Sequence, residues 1–249
     1  MDCTHQSGTG PGIFITFEGG EGAGKTTHIN FLASVLREQG HEVLCLREPG
    51  GTAVGESLRQ VVLDVNNDSL CDTAELFIYE AARAQIVSEV ISPALARGAV
   101  ILCDRFYDST LAYQVYGRGL PESFVRQANC MACQGVHPCR TILLTTGACA
   151  ETGLKRATHH GDADRMEAAG ADFHTRVNEG FLKMAADSSE RIRVVVSADK
   201  KSQTARAIFT ELVDVFDWDI NGALFALETF EILDAKKPES SKAHIAAEA

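Results

Sequence analysis

The sequence predicts a layered α/β fold, one five-stranded parallel sheet flanked by helices, on two observations. Five short runs are rich in Val, Ile, Leu and Phe and lack polar alternation, as strands covered on both faces do. Segments with helical spacing separate them, which makes the connections right-handed crossovers. The first run is Ile13–Phe17, and the helix after it starts at Lys25 and closes at Gly40, a glycine C-cap. The second strand is Glu42–Arg47. A long helical stretch from Thr73 to Arg97, with Leu76, Ile78, Ile86, Val87, Val90 and Ile91 among its apolar positions, leads to the third strand, Ala99–Cys103. Arg140–Thr145 and Arg191–Ser197 are the fourth and fifth strands, with a largely polar helix over Glu167–Ala185 between them. Ala223–Leu233 reads as a docked helix that closes the domain, and Ala235–Ala249 as a solvated tail.

Of 249 residues, 45% are apolar and 23% charged, which excludes global disorder and collagen-like repeats. A chain this long buries enough surface to need no covalent staples. Its net charge, 23 − 34 = −11, repels nucleic acid and anionic membrane, so neither is an expected partner. There is no run of 18 apolar residues, and Met1 to Gly12 is polar and Gly-rich. The expectation is a soluble, cytoplasmic protein without a transmembrane span or signal peptide. Eight cysteines in such a chain read as reduced thiols. Cys130, Cys133, His137 and Cys139 are ligand types for zinc, but their spacing is cramped beside common zinc frameworks, and thiols are again the reading.

The first strand runs into Gly19-Gly20-Glu21-Gly22-Ala23-Gly24-Lys25-Thr26-Thr27, which fits the phosphate-cradle pattern G-x-x-x-x-G-K-[ST]. Glycines let backbone N–H groups converge on a triphosphate, Lys25 neutralises its outer oxygens, and the Thr26 hydroxyl suits Mg²⁺. The helix behind aims its N-terminal dipole at the same anion. A nucleoside triphosphate is therefore the expected ligand. No N-K-x-D guanine-reading pattern is present, which weakens a GTPase reading. Asp104 closes the third apparent strand, where an acid would hold Mg²⁺ through water, and Arg105 follows it directly. A cation there suits an enzyme that must gather two anionic substrates.

Four more strings follow in order. Arg47-Glu48-Pro49-Gly50-Gly51-Thr52 comes after the second strand, with Arg59 twelve residues beyond Arg47. Tyr79-Glu80-Ala81-Ala82-Arg83-Ala84-Gln85 lies in the long helical stretch. Asp104-Arg105-Phe106-Tyr107-Asp108-Ser109-Thr110-Leu111-Ala112-Tyr113-Gln114 follows the third strand, and Asp164-Arg165-Met166-Glu167 precedes Phe173-His174. With the phosphate cradle, and over about Ile13 to Phe216, these strings resemble bacterial thymidylate kinases. The resemblance implies a three-layer P-loop fold with a mobile lid. The implied reaction is transfer of the γ-phosphoryl group of ATP to dTMP, giving dTDP and ADP, with Mg²⁺ and in a homodimer.

The same resemblance implies the site. Glu21 approaches the sugar 3′-OH, and Arg47, Arg59 and Arg105 collect around the monophosphate. Arg105 also touches the moving phosphoryl group. Arg83 donates to thymine O4, Thr110 and Gln114 reach the remaining base edge, Tyr79 stacks, and Tyr113 crowds the 2′ carbon. Thr26 and Asp104 serve the metal. The lid spans about 153–168, within a kinase-like domain of 13–218, between a flexible extension 1–12 and a C-terminal helix and tail 219–249. The cradle has no arginine of its own, so the lid supplies one. Arg156 matches one family lid arginine, while His160 stands where a second is expected and acts as a cation only when protonated. Two rival readings are a kinase for another nucleotide and a catalytically weak or non-catalytic nucleotide-binding protein of the same fold.

Overall fold

A computed structural model describes residues 12–146, 164–225 and 227–235. The sheet has five strands, β1 (Ile13–Glu18), β2 (Val43–Arg47), β3 (Val100–Asp104), β4 (Arg140–Thr145) and β5 (Ile192–Val196). They run parallel in the order β2-β3-β1-β4-β5. The five predicted strands are all present, with ends moved by at most one residue. β1 lies between β3 and β4, so the chain crosses to one side of it for β2 and β3 and to the other for β4 and β5. The crevice this opens at the strand C-termini is where ligands bind in such sheets. Register sharpens the point: Arg47 pairs with Asp104, and Asp104 with Phe17. The last residues of β2 and β3 and the penultimate residue of β1 thus stand in one row.

Alternate β1 residues serve opposite faces. Ile15 and Phe17 join a core with α1 (Lys25–Glu38). Phe14 joins another with the helices on the far side, and its ring meets Phe106 edge-on at 5.0 Å. On that side lie α2 (Ala53–Leu63), α3 (Asp72–Ile86) and α4 (Ser92–Ala96). The predicted stretch from Thr73 to Arg97 is one continuous run, α3 to α4, interrupted by a π-helical turn at Val87–Ile91. Pro93 has no N–H to give, and the widened turn ahead of it accommodates that. After β3 come α5 (Tyr107–Thr110), a second π-helical turn at Leu111–Gly117, and α6 (Glu122–Cys133). α7 (Ala171–Asp187) replaces the expected helix from Glu167, because Gly170 at φ 91° separates it from a single 3₁₀ turn at Glu167–Ala169.

α8 (Lys201–Thr210) and α9 (Val213–Phe216) follow β5. The closing helix is α10 (Leu227–Ala235), which starts later than the periodicity suggests because Ala223–Phe225 is a 3₁₀ turn. Phe225, Phe230 and Leu233 are buried with Phe209 of α8, and the lone Trp218 stacks on both Phe209 (5.1 Å) and Phe216 (4.7 Å). Among the described residues no helix is long and apolar enough to cross a membrane. Cys45, Cys71, Cys103, Cys133 and Cys139 are free thiols, whereas Cys130 is disulfide-bonded, so the reduced-thiol expectation is corrected there. Residues 1–11, 147–163 and 236–249 lie outside the described residues, and with them most of the predicted extension 1–12, most of the predicted lid 153–168 including Arg156 and His160, and the tail.

Candidate active site

The cradle is shaped by backbone demands. Gly19 sits at φ 124°, and a Cβ there would come within 2.0 Å of the Leu144 carbonyl oxygen, so no other residue lets β1 turn beside β4. Gly24 is the N-cap of α1 at φ 93° with no side-chain cap, and the first turn has no acid. The α1 amides are left for an anion. Lys25 is buried, and its ammonium donates to the carbonyls of Gly19 and Gly20, each at 3.1 Å. Burial, with Arg105 close by, lowers its pKa. The Thr26 hydroxyl donates to Asp104 at 3.1 Å.

These residues open onto a cavity of about 510 Å³. Of the predicted site residues within the described chain, Glu21, Gly22, Ala23, Gly24, Lys25, Thr26, Thr27, Arg47, Arg59, Tyr79, Arg83, Asp104, Arg105, Thr110, Tyr113 and Gln114 line it. Gly19 and Gly20 stand behind, beneath the Lys25 ammonium. Positions more than 90 residues apart in sequence therefore meet in one crevice. Sequence reasoning gave no role to Glu48, Pro49, Leu63, Phe106, Ser109 and Met166, which share the wall.

Arg105 is the hinge between cradle and cavity. Its φ of 72° is left-handed, a strained state for a residue with a side chain. Three contacts hold the turn: the Arg105 amide donates to the Phe17 carbonyl at 2.9 Å, the Phe106 amide to Glu18 at 2.8 Å, and the Ser109 hydroxyl to Glu18 at 2.5 Å. The guanidinium is thereby aimed at Glu21, with which it pairs, and at the Gly19 carbonyl at 3.1 Å. Burial disfavours charge on Glu21, but Arg105 and Lys25 overcome it and hold the carboxyl at about 2. Fully enclosed Glu18 goes the other way: burial, with Asp108 nearby, pushes it up to about 8. Glu18 was visible only as part of a string; its role depends on a contact 88 residues away.

Arg47 pairs with Glu56 at 2.9 Å, and Arg59 donates to the Pro49 carbonyl at 3.0 Å across the turn with the cis Glu48–Pro49 bond. Thr52 caps α2 by accepting from the Gly55 amide at 2.9 Å, which fixes that turn against the helix. The Arg105 guanidinium carbon lies 5.1 Å from the Tyr113 ring centroid, and the Tyr113 hydroxyl donates to Glu21 at 3.5 Å.

At the far end buried carboxylates govern. Arg83, 2% exposed, donates through Nε and Nη2 to Glu48 (2.9 and 2.7 Å) and through Nη1 to Glu80 (3.0 Å) and Asn129 (2.8 Å). One guanidinium shared by two buried carboxylates leaves a surplus of negative charge. Burial raises Glu48 to about 7 despite Arg83 and raises Glu80 as well, while burial's opposition is overcome at Arg83, whose pKa rises. Gln114 donates to Glu75 at 2.8 Å.

The thymidylate kinase family model matches residues 17–208. The chain is 44% identical over 202 residues to the thymidylate kinase of Trichlorobacter lovleyi, covering 79% of this chain and 94% of that one. It is 46% identical over 198 residues to that of a Synechococcus strain, covering 80% and 93%. The crystal structure of thymidylate kinase from Ehrlichia chaffeensis superposes with a TM-score of 0.65 at 30% identity, over 82% of this chain and 98% of that one. With its parallel sheet, glycine cradle and Asp104-Arg105 turn, the chain belongs to the thymidylate kinase family.

Proposed function

We propose that the cavity seats dTMP with its base between Arg83 and Gln114 and its phosphate among Arg47, Arg59 and Arg105, facing ATP in the cradle. The reaction is transfer of the γ-phosphoryl group of ATP to dTMP. A dTMP phosphate oxygen bonds to the γ-phosphorus as the bond from that phosphorus to the bridging oxygen breaks, and the electron pair leaves on ADP. The observation that carries this reading is the meeting of Lys25, Glu21 and Arg105 at one point of a cavity whose other end holds Arg83 and Gln114.

Catalysis is then alignment and charge neutralisation. Lys25 exchanges its two carbonyl partners for phosphate oxygens, and Arg105 spans acceptor and transferred group. Glu21 stays ionised at neutral pH and accepts from the sugar 3′-OH. Arg83 has five N–H donors and four bonds among the described residues, so one N–H of Nη2 is left for thymine O4. Tyr79 stacks on the base, Thr110 supports its edge, and Tyr113 closes the 2′ side against ribonucleotides. Thr26 and Asp104 are oxygen donors of the kind Mg²⁺ takes, and the ion held there supplies neutralising charge on the phosphates. Arg156 is the proposed lid cation, assisted by protonated His160.

Exposed Val54 and Val61 of α2, Phe77 of α3 and Phe124 and Met131 of α6 support pairing of two copies. Phe77 and Phe124 already touch, ring centroids 6.0 Å apart. The decisive experiment is ADP release from ATP and Mg²⁺ with dTMP, dUMP, dCMP, dGMP or no acceptor. Release with dTMP far above the rest is expected, and release without an acceptor would make the base end irrelevant. Scattering mass in solution tests the dimer.

A further inference from the structure

Glu75 does not itself line the cavity, yet it is completely buried and carries four hydrogen bonds from three side chains. Gln114 Nε2 donates to its Oε1 at 2.8 Å. Arg118 donates through Nε to Oε1 at 3.2 Å and through Nη2 to Oε2 at 2.9 Å, and Arg165 pairs with Oε2. These bonds outweigh burial and keep Glu75 ionised, its pKa below the usual range. An ionised carboxylate only accepts. The Gln114 atom facing it must therefore be the NH₂ group, and the Gln114 carbonyl oxygen is left for the cavity that this residue lines.

That orientation has a chemical consequence. Thymine presents an N3–H donor beside its O4 acceptor, whereas cytosine presents a bare N3 acceptor beside an amine donor. Gln114 held with its carbonyl outward accepts from thymine N3–H. Turned over, the same amide would donate to cytosine N3. Arg83 cannot turn over, because it has donors only. Gln114, unlike Arg83, is thus a base reader able to reverse its preference, and Glu75 is the group that stops it.

We propose that Glu75 is a specificity-positioning residue: by locking the Gln114 amide it makes the site reject pyrimidines that carry an amine at C4. This deepens, and rests on, the reading of the Arg83–Gln114 end as the base site. Arg165 also donates to the Val62 carbonyl at 2.8 Å, so the lock is tied to the end of α2 as well. The charged and titratable groups around Glu75 are Arg118, Arg165, Tyr79 and, paired with Arg118 at 3.4 Å, Asp72.

The test compares kcat/KM for dTMP and dCMP in the parent and in the isosteric Glu75→Gln, with Gln114→Leu alongside. Glu75→Gln is expected to raise KM for dTMP and cut the dTMP-over-dCMP preference about tenfold, with KM for ATP unmoved. A folded Glu75→Gln that loses rate equally on both acceptors overturns the proposal and leaves a structural brace. If Gln114→Leu keeps the preference intact, the base reading itself fails and the proposal with it. If only Gln114→Leu lowers it, the base reading stands and Glu75 is dismissed.

Should Glu75→Gln not fold, Gln114→Glu answers the same question. The introduced carboxyl can meet Glu75 only through a shared proton, with its carbonyl then facing the base. The KM of that variant for dTMP, taken relative to the parent at the same pH, should be higher at pH 8, where the two carboxylates repel and the side chain leaves the base, than at pH 5.5, and a ratio indifferent to pH would overturn the lock.

Discussion

At the phosphate end of the cavity Lys25 rests on two backbone carbonyls and the α1 amides carry no cap, whereas at the base end Arg83 and Gln114 are each tied to a buried carboxylate. The difference follows from what each end must do. A triphosphate is recognised by charge, so the protein leaves donors loosely held and ready to exchange partners. A base is recognised by the direction of individual hydrogen bonds, so its readers must not rotate. Carboxylates enforce that, at the cost of burying Glu48, Glu75 and Glu80. Ion pairs at the base end are therefore structural as well as functional, and those at the phosphate end are mainly functional.

The contrast is broken or sharpened by substitution at either end. Lys25→Ala should lower kcat about 10³-fold, since it removes a cation from the developing charge, and should not lower the melting temperature. A large loss of stability there would erase the distinction. Arg83→Met should do the opposite in emphasis. It strands Glu48 and Glu80 without their cation and should cost about 3–5 kcal/mol in denaturant unfolding, besides weakening dTMP binding.

Titration separates the ends on a smaller scale. Glu18 is raised to about 8, so the folded chain holds a proton that the unfolded chain has released, and stability falls as pH rises from about 4.5 to 8. Glu21 is lowered to about 2, so its contribution is present above the unfolded value near 4.5 and is lost as pH falls toward 2. Glu18→Gln imitates the protonated form. It should be more stable than the parent at pH 8 by on the order of 1–2 kcal/mol and nearly equal at pH 5, as thermal melts across that range would show. An advantage that does not change with pH would mean that Glu18 is ionised in the fold. The smallest effect concerns the turn that carries Arg47 to Arg59: Thr52→Ala removes the α2 cap and should cost about 1 kcal/mol, read by chemical denaturation.

The strands were legible because a strand in a parallel sheet is apolar on both faces, and Val100–Asp104 says so by itself. α2 and α6 drew no prediction, since their outer faces carry Val54, Val61, Phe124 and Met131 and blur the two-sided pattern that marks a surface helix. The cradle was legible residue by residue, because a strand, a glycine loop and a helix start are consecutive in sequence. Its continuation across the crevice came from the motif strings. The supporting carboxylates were not legible: Glu48 meets Arg83 across 35 positions, and Glu75 meets Gln114 across 39 and Arg165 across 90.

The sequence by itself determined the sheet and the phosphate cradle, since each rests on local chemistry, apolar runs and glycine backbone freedom, while the resemblance carried by its motif strings named many of the side chains that line the cavity. Only the tertiary structure decided which way those side chains face, that Arg105 occupies a left-handed turn stitched by Glu18, and that Gln114 is held by Glu75. Orientation is set by partners brought from distant segments into a low-dielectric interior, and no periodicity along the chain records which carboxylate will meet which amide.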